Sequence, residues 1–407
     1  MNSPQPPLPS LMDWLLLRSR FHIPPGVTYL DGNSLGLLST DTEAAVLSAL
    51  NDWKTLGVSG WSDADAGKGW LDLPTRIAAD LAPLLGALPE EVAVCNQTTV
   101  NLHQLLATFF EPVPARSVIL TDDLAFPSDS YALQSHLQLR GLPPENLRRV
   151  PARPGGLLDE TDLISALTPD VALALFPAVV YTTGQLLDLP RLTAAAQSRN
   201  ITIGFDLSHS AGAVPHELHA IGPDFAFGCT YKYLSSGPGS TGFLFVHQRH
   251  LSRPPGLAGW FGSDRPVMFD MTPHLQPAPT ATRFTIGTPP ILSTAALAAS
   301  LKLFHEIGLP ALRARSLKLT ALLISLADTH LAPLGFVLAT PREDRCRGGH
   351  VSLRHPAAKS LCQQLISHHI IPDFRNPDLI RLAPTAFYNS EQDCHHAVET
   401  LARIAAH

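Results

Sequence analysis

Between about residues 90 and 250 short β-type apolar runs alternate with helical patterns, and this alternation constrains the fold more than any other feature. Runs at 117–120, 171–176, 201–205, 224–227 and 243–246 predict buried strands; 129–140, 160–167 and 189–198 predict the helices between them. Repeated strand–helix–strand units build a mostly parallel sheet covered on both faces. The predicted class is α/β. After Thr288-Pro-Pro the pattern changes to long amphipathic helices (292–307, 311–329) and then a shorter α+β mixture. That shift predicts a large domain over 56–290 and a smaller one from 1–55 and 291–407, on which the helix near 11–18 packs. A chain of 407 residues has length enough for both.

Composition narrows the partners. Charged residues are 16% of the chain, where about 25% is usual, and the formal net charge is −6. Such a surface has no electrostatic footprint for nucleic acid or anionic membrane. The longest apolar stretches, such as 171–180, fall short of the roughly 20 residues of a membrane helix. At the N-terminus Asp13 interrupts an apolar run that follows a Pro-rich, non-basic segment, unlike a secretory signal. Five scattered cysteines without a C-x-x-C pair predict a reduced, cytoplasmic protein with neither a zinc nor a disulfide framework.

In an open α/β sheet ligands bind beyond the carboxyl ends of the strands, so chemistry is sought there. The run 201–205 is followed at once by Asp206-Leu-Ser-His209, and 224–227 by Gly-Cys-Thr-Tyr231-Lys232-Tyr233. Lys232 is one of only six lysines and the only charged residue between Asp224 and Arg249; Lys54, Lys302, Lys318 and Lys359 lie on polar helix faces. A desolvated amine has a lowered pKa and is available for Schiff-base chemistry. An Asp at one strand end and a Lys at the next is what pyridoxal 5'-phosphate needs: a carboxylate for the ring nitrogen and an amine for the aldehyde. Its phosphate needs a helix N-terminus, and Thr98-Thr99 before an apolar helical stripe supplies one.

Motifs in order along the chain carry a resemblance. They are YLDGNSLG (29–36), TTVNLH (98–103), FPSD (126–129), YTTGQ (181–185), DLSHSAG (206–212), TYKYLSSGPG (230–239), GWFG (259–262), RFTIGTPPIL (283–292), RGGHVSLRH (347–355) and IRLAPTAFYNS (380–390). Together they resemble the kynureninases, pyridoxal-phosphate enzymes of the aminotransferase-like fold type I. The resemblance implies hydrolytic cleavage of the β–γ carbon bond of L-kynurenine to anthranilate and L-alanine, a step of tryptophan breakdown. It implies that Thr98 and Thr99 hold the phosphate and Phe126 stacks on the ring. Ser128, Asp129 and His209 lie beside the cofactor, Asp206 meets its nitrogen, and Tyr231 touches the phosphate next to Lys232. Trp260 and Thr288 would reach the phosphate from the partner subunit of a homodimer. Arg381 would grip the substrate α-carboxylate, with Asn33 and Gly287 also at the substrate. Lys232 would take the α-proton and Tyr231 protonate the β-carbon. Gly287-Thr288 stands where hydroxy-preferring relatives carry Ser-Asn, which implies that kynurenine is favoured over 3-hydroxykynurenine. Asp63 matches a second ring-facing position loosely. Pro177 departs from the family, which often has Ser there, so a polar contact from this position is in question.

Other motifs carry less. Gly237-Pro-Gly-Ser-Thr-Gly242 precedes a strand, not a helix, and is better read as a turn behind Lys232 than as a dinucleotide loop. His216-Glu-Leu-His219 lacks zinc spacing and is expected at the surface; no metal is expected. Cys346, in a loop, keeps a cysteine-desulfurase-like activity as the alternative, and a non-catalytic binding protein on this fold is a third reading.

Overall fold

The computed structural model describes residues 11–62 and 69–406; Asp63 lies outside them. In chain order the strands are β1 (Thr28–Tyr29), β2 (Val92–Val94), β3 (Val118–Asp122), β4 (Leu147–Val150), β5 (Val171–Pro177), β6 (Thr202–Asp206), β7 (Phe225–Cys229), β8 (Gly242–Val246), β9 (Val337–Leu338), β10 (Val351–Arg354), β11 (Ile370–Ile371), β12 (Asp373–Arg375) and β13 (Leu379–Leu382). The main sheet runs β2-β8-β7-β6-β5-β3-β4. Its pairings from β7 to β4 are parallel, and β8 alone runs against its neighbours. A second, antiparallel sheet runs β12-β13-β10-β9, and β1 pairs in parallel with β11.

Every residue of β5 is buried, as a strand covered on both faces requires. Alternate side chains enter opposite layers. Ala174 and Phe176 join Ile77, Leu192 and Leu301 on one face, whereas Leu173 and Leu175 join Leu102, Leu105 and Leu133 on the other. A third core lies under the second sheet, where Val351, Leu353 and Ile380 meet Leu319, Leu361 and Leu401. The helical run Leu309–Leu334 is long and apolar enough to cross a membrane by length and composition. Here its Leu319, Leu323 and Leu331 are buried in that third core.

The five strands expected from the sequence are present, with β2 and β4 added. Both additions are short, and β4 (LRRV) carries two arginines, so its apolar signal is weak. The strand expected at 117–120 continues to Asp122, which brings that acid to a carboxyl end. In the N-terminal segment Phe21 packs on Phe387 and Tyr388, Arg315 lies over the Trp14 ring and Arg18 pairs with Asp393, while β1 pairs with β11. His216 overturns the surface expectation: it is buried, its Nε2 lies 2.8 Å from Ser210 Oγ, and burial lowers its pKa to about 4. His219 is half-buried beside the fully buried Glu91, whose carboxylate also accepts from Leu88 and Gln248 N–H. The chain goes from β3 outward to β4 and returns on the other side at β5. This reversal opens a crevice at their carboxyl ends.

Candidate active site

Asp206 ends β6, in register with Pro177 of β5 and Phe227 of β7. It is buried, and one carboxylate oxygen accepts the Ser208 N–H at 2.8 Å. Asp129, on the first turn of the helix Pro127–Leu139, is bonded to it side chain to side chain. Burial pushes both carboxyls up, and the charge on Asp206 pushes Asp129 further, while Lys232 favours ionised Asp206. Two like charges this close do not both ionise. Asp129 therefore keeps the proton and Asp206 the charge. Asp122, at the end of β3, is a third buried acid, pushed up to about 7 by burial.

Lys232 follows β7, half-buried, with Nζ 2.9 Å from His209 Nε2 and 5.7 Å from the centre of the Phe126 ring. Burial, reinforced by Lys232 and Arg381, pushes the His209 pKa well down, so its imidazole is neutral. Phe126 is 38% exposed and meets the edge of Tyr181 at 5.3 Å, so a flat ring has room to stack on it. Tyr231 lies next to Lys232, 5.9 Å from Nζ to its ring centre; burial raises its hydroxyl pKa and keeps it protonated. The segment 29–36 crosses this loop, and Gly36 N–H donates to Tyr231 O at 2.8 Å. A Cβ at Gly36 would stand 2.4 Å from Lys232 O, so this close approach requires glycine.

The helix Thr98–Phe109 begins without a side-chain cap from Gln97. Its first-turn N–H groups, near the half-buried Thr98 and Thr99, are thus available to an anion. β8 starts right beside them: a Cβ at Gly242 would lie 3.0 Å from Thr98 N. Ser128, also half-buried, sits on the first turn of the helix Pro127–Leu139.

Arg381 comes from β13 and is fully buried. It is paired with Asp373, donates to Tyr181 O at 2.6 Å, and reaches Ser34 Oγ at 3.3 Å. With its amide turned to satisfy both neighbours, Asn33 donates to Asp31 at 3.2 Å and accepts from Arg381 at 3.3 Å. The five N–H donors of the Arg381 guanidinium are thus all engaged, and its contacts to Ser34 and Asn33 are the longest.

The C-terminal stretch 312–401 matches the family model of the kynureninase C-terminal domain. Over 95% of this chain and 90% of theirs, curated kynureninases are 47% identical, from Geobacillus thermodenitrificans over 391 residues and from Bacillus cereus over 388. The chain belongs to the kynureninase family. Solved structures share the fold at lower identity. The enzyme C-DES, with glycine covalently linked to its pyridoxal-phosphate cofactor, superposes with a TM-score of 0.83 at 19% identity, covering 95% of this chain and 98% of its own. The cysteine desulfurase of Thermococcus onnurineus gives 0.81 at 20% identity over the whole of both chains.

Pyridoxal phosphate, the cofactor of the kynureninases, fits what this chain presents: an uncapped helix start, an ionised buried acid, an open aromatic face, and a lysine beside the acid and the aromatic face. Pro177 closes β5 beside Asp206, and its side chain has no polar group to offer. Trp260 and Thr288 are not in the Lys232 group. They line a separate cavity of about 590 Å³ with Trp61, Leu71 and Phe269, and Trp260 Nε1 donates to Met268 O. Gly287, next to Thr288, is exposed. Cys346 lies in yet another groove, with Leu186, Arg191 and His216. Burial and the nearby Glu343 raise its pKa, which weakens it as a nucleophile. The sequence reading missed Asp122, Tyr181, Ser34, Asp373 and His350. Of these, Asp122 had a signal, because it ends a strand.

Proposed function

We propose that this kynureninase-family chain hydrolyses the β–γ carbon bond of L-kynurenine to anthranilate and L-alanine, with Lys232 as the cofactor-bearing residue. The observation that carries this is Lys232 Nζ at 2.9 Å from neutral His209, beyond the strand end where Asp206 keeps its charge. Pyridoxal phosphate, when bound, supplies an electron sink beside the substrate α-carbon. Asp206 would hold its ring nitrogen, Thr98 and Thr99 its phosphate, and Phe126 its face, with Ser128, Asp129 and His209 around it. Arg381 takes the substrate α-carboxylate in a charge-assisted fork, exchanging its two longest contacts, to Ser34 and Asn33, for it. Lys232 Nζ removes the α-proton, and His209 Nε2 holds the amine in place. Tyr231, protonated because it is buried, gives its proton to the β-carbon. Incubation of the purified protein with pyridoxal phosphate and kynurenine should release anthranilate and alanine in equal amounts; release of sulfur from cysteine instead would favour the desulfurase reading.

The same reading places the enzyme in the cytoplasm as a homodimer in which Trp260 and Thr288 serve the partner's phosphate site. Their position at a separate cavity supports that assignment. Gly287 presents no side chain, and a Cβ there would meet nothing within 4 Å. A ring hydroxyl covered at this turn in the assembled dimer would be left without a partner, at about 1–3 kcal/mol. Kynurenine should exceed 3-hydroxykynurenine in kcat/KM by about tenfold; equal values would move the preference to other residues.

A further inference from the structure

His350 lies just before β10, one residue from Val351, in the sheet that supplies Arg381. It is fully buried, and neither ring nitrogen has a hydrogen-bond partner among the described residues. One approaches the Tyr181 carbonyl outside hydrogen-bond geometry. The ring meets His209 nearly edge to face, with centres 6.0 Å apart. His209 in turn binds Lys232 through Nε2, and its own Nδ1 is buried without a partner. Three orphaned imidazole nitrogens thus stand in two neighbouring buried rings, one of which is bonded to Lys232.

Leaving buried polar atoms unpaired is costly, so a group of them calls for a role. The groups facing His350 are Lys232, Arg381, Arg375 and His209, and burial together with these cations keeps it neutral. A neutral imidazole has one donor and one acceptor. The Tyr181 carbonyl favours the proton on the nitrogen that approaches it, which leaves the other as an acceptor. A lysine ammonium needs an acceptor at His209 Nε2, which puts the His209 proton on Nδ1. We propose that His350 is a positioning residue that accepts from His209 Nδ1 through one bridging water, and so fixes the His209 tautomer that accepts the Lys232 hydrogen bond. The inference rests on Lys232 being the cofactor-bearing residue. No proton changes hands: Lys232 shares its proton with Nε2, and Nδ1 shares its own with the acceptor nitrogen of His350, as hydrogen bonds, so both imidazoles stay neutral.

Two full-length variants test it, His350→Leu, which removes both ring nitrogens, and His350→Gln, which keeps a donor and an acceptor. In the holoenzyme, His350→Leu should move the midpoint of the visible cofactor band, and the acid limb of kcat, by on the order of one pH unit. Its kcat should fall about tenfold with KM almost unchanged, and His350→Gln should restore most of both. Leu and Gln variants that titrate like the parent, or that are equally impaired, overturn the proposal. Nitrogen-15 spectra of the histidine-labelled parent chain decide the matter even if His350→Leu does not fold: the His209 proton is expected on Nδ1, and a proton on Nε2 overturns it. Failure of the parent to form a visible band with pyridoxal phosphate would count against the cofactor reading instead, since the tautomer is measurable without it.

Discussion

Three buried carboxylates, Asp122, Asp129 and Asp206, meet at the crevice floor, and only one keeps its charge through a function. Asp122 is ordinary in sequence but not in place: its Oδ1 accepts the Leu124 N–H at 2.9 Å, while Oδ2 has no partner among the described residues. Its folded pKa, about 7, lies above that of the unfolded chain. The folded state therefore binds the extra proton between the two values, and Asp122 costs stability progressively as pH rises through that window. Asp122→Asn keeps the acceptor without the charge, and should stabilise the protein at pH 8 by on the order of 2–4 kcal/mol and much less below pH 4. Thermal melts at the two pH values check this; an equal gain at both would locate the effect in packing. Arg381 is a second case. Arg381→Ala should raise KM for kynurenine by an amount on the order of 2–5 kcal/mol in binding while the cofactor spectrum persists. An unchanged KM would transfer the carboxylate to Arg375, which shares Asp373.

The helix Thr98–Phe109 shows how an element acquires a function from what is missing in it. Helices commonly begin with a capping side chain, and Gln97 provides none, so the N–H groups remain open. The approach of β8 depends on Gly242, where a Cβ would also stand 3.0 Å from Asn101 Nδ2. Gly242→Ala should therefore weaken pyridoxal-phosphate affinity by about tenfold or more, for a loss of one or two hydrogen bonds to a charged group. Equilibrium titration of the apoprotein measures it, and parental affinity would show that the helix start tolerates the shift. The G-x-G-x-x-G stretch before this strand is the turn its context suggested, with Gly237 and Gly239 both at positive φ.

A single copy leaves Val58, Trp260 and Phe269 exposed around the cavity that holds Thr288, and Trp53 and Met271 exposed in grooves that share Val58 and Trp260 with it. Large exposed apolar groups of this kind mark interaction surfaces, and a second copy is the occupant the shared-site reading requires. A twofold interface presents the same patch on both subunits. Mixing an inactive Lys232→Ala chain with an inactive Trp260→Ala chain should restore part of the activity, because one hybrid site then has both residues intact. No recovery in demonstrated hybrids would mean that each chain completes its own site.

Strand periodicity, the isolation of Lys232 and the acid at the end of β6 are local properties, so the α/β class and the lysine–aspartate pair were legible in the residues themselves. The protonation of Asp129 was not, because it depends on Asp206, far along the chain, arriving beside it. His216 sat in a polar-looking tetrapeptide and turned out buried, since burial follows from which elements pack over a residue and not from its neighbours in sequence. Nor could any pattern show Arg381 with all its donors engaged, or His350 beside His209. Those arrangements join the second sheet to the crevice of the first, and a contact between distant segments exists only once the chain has folded.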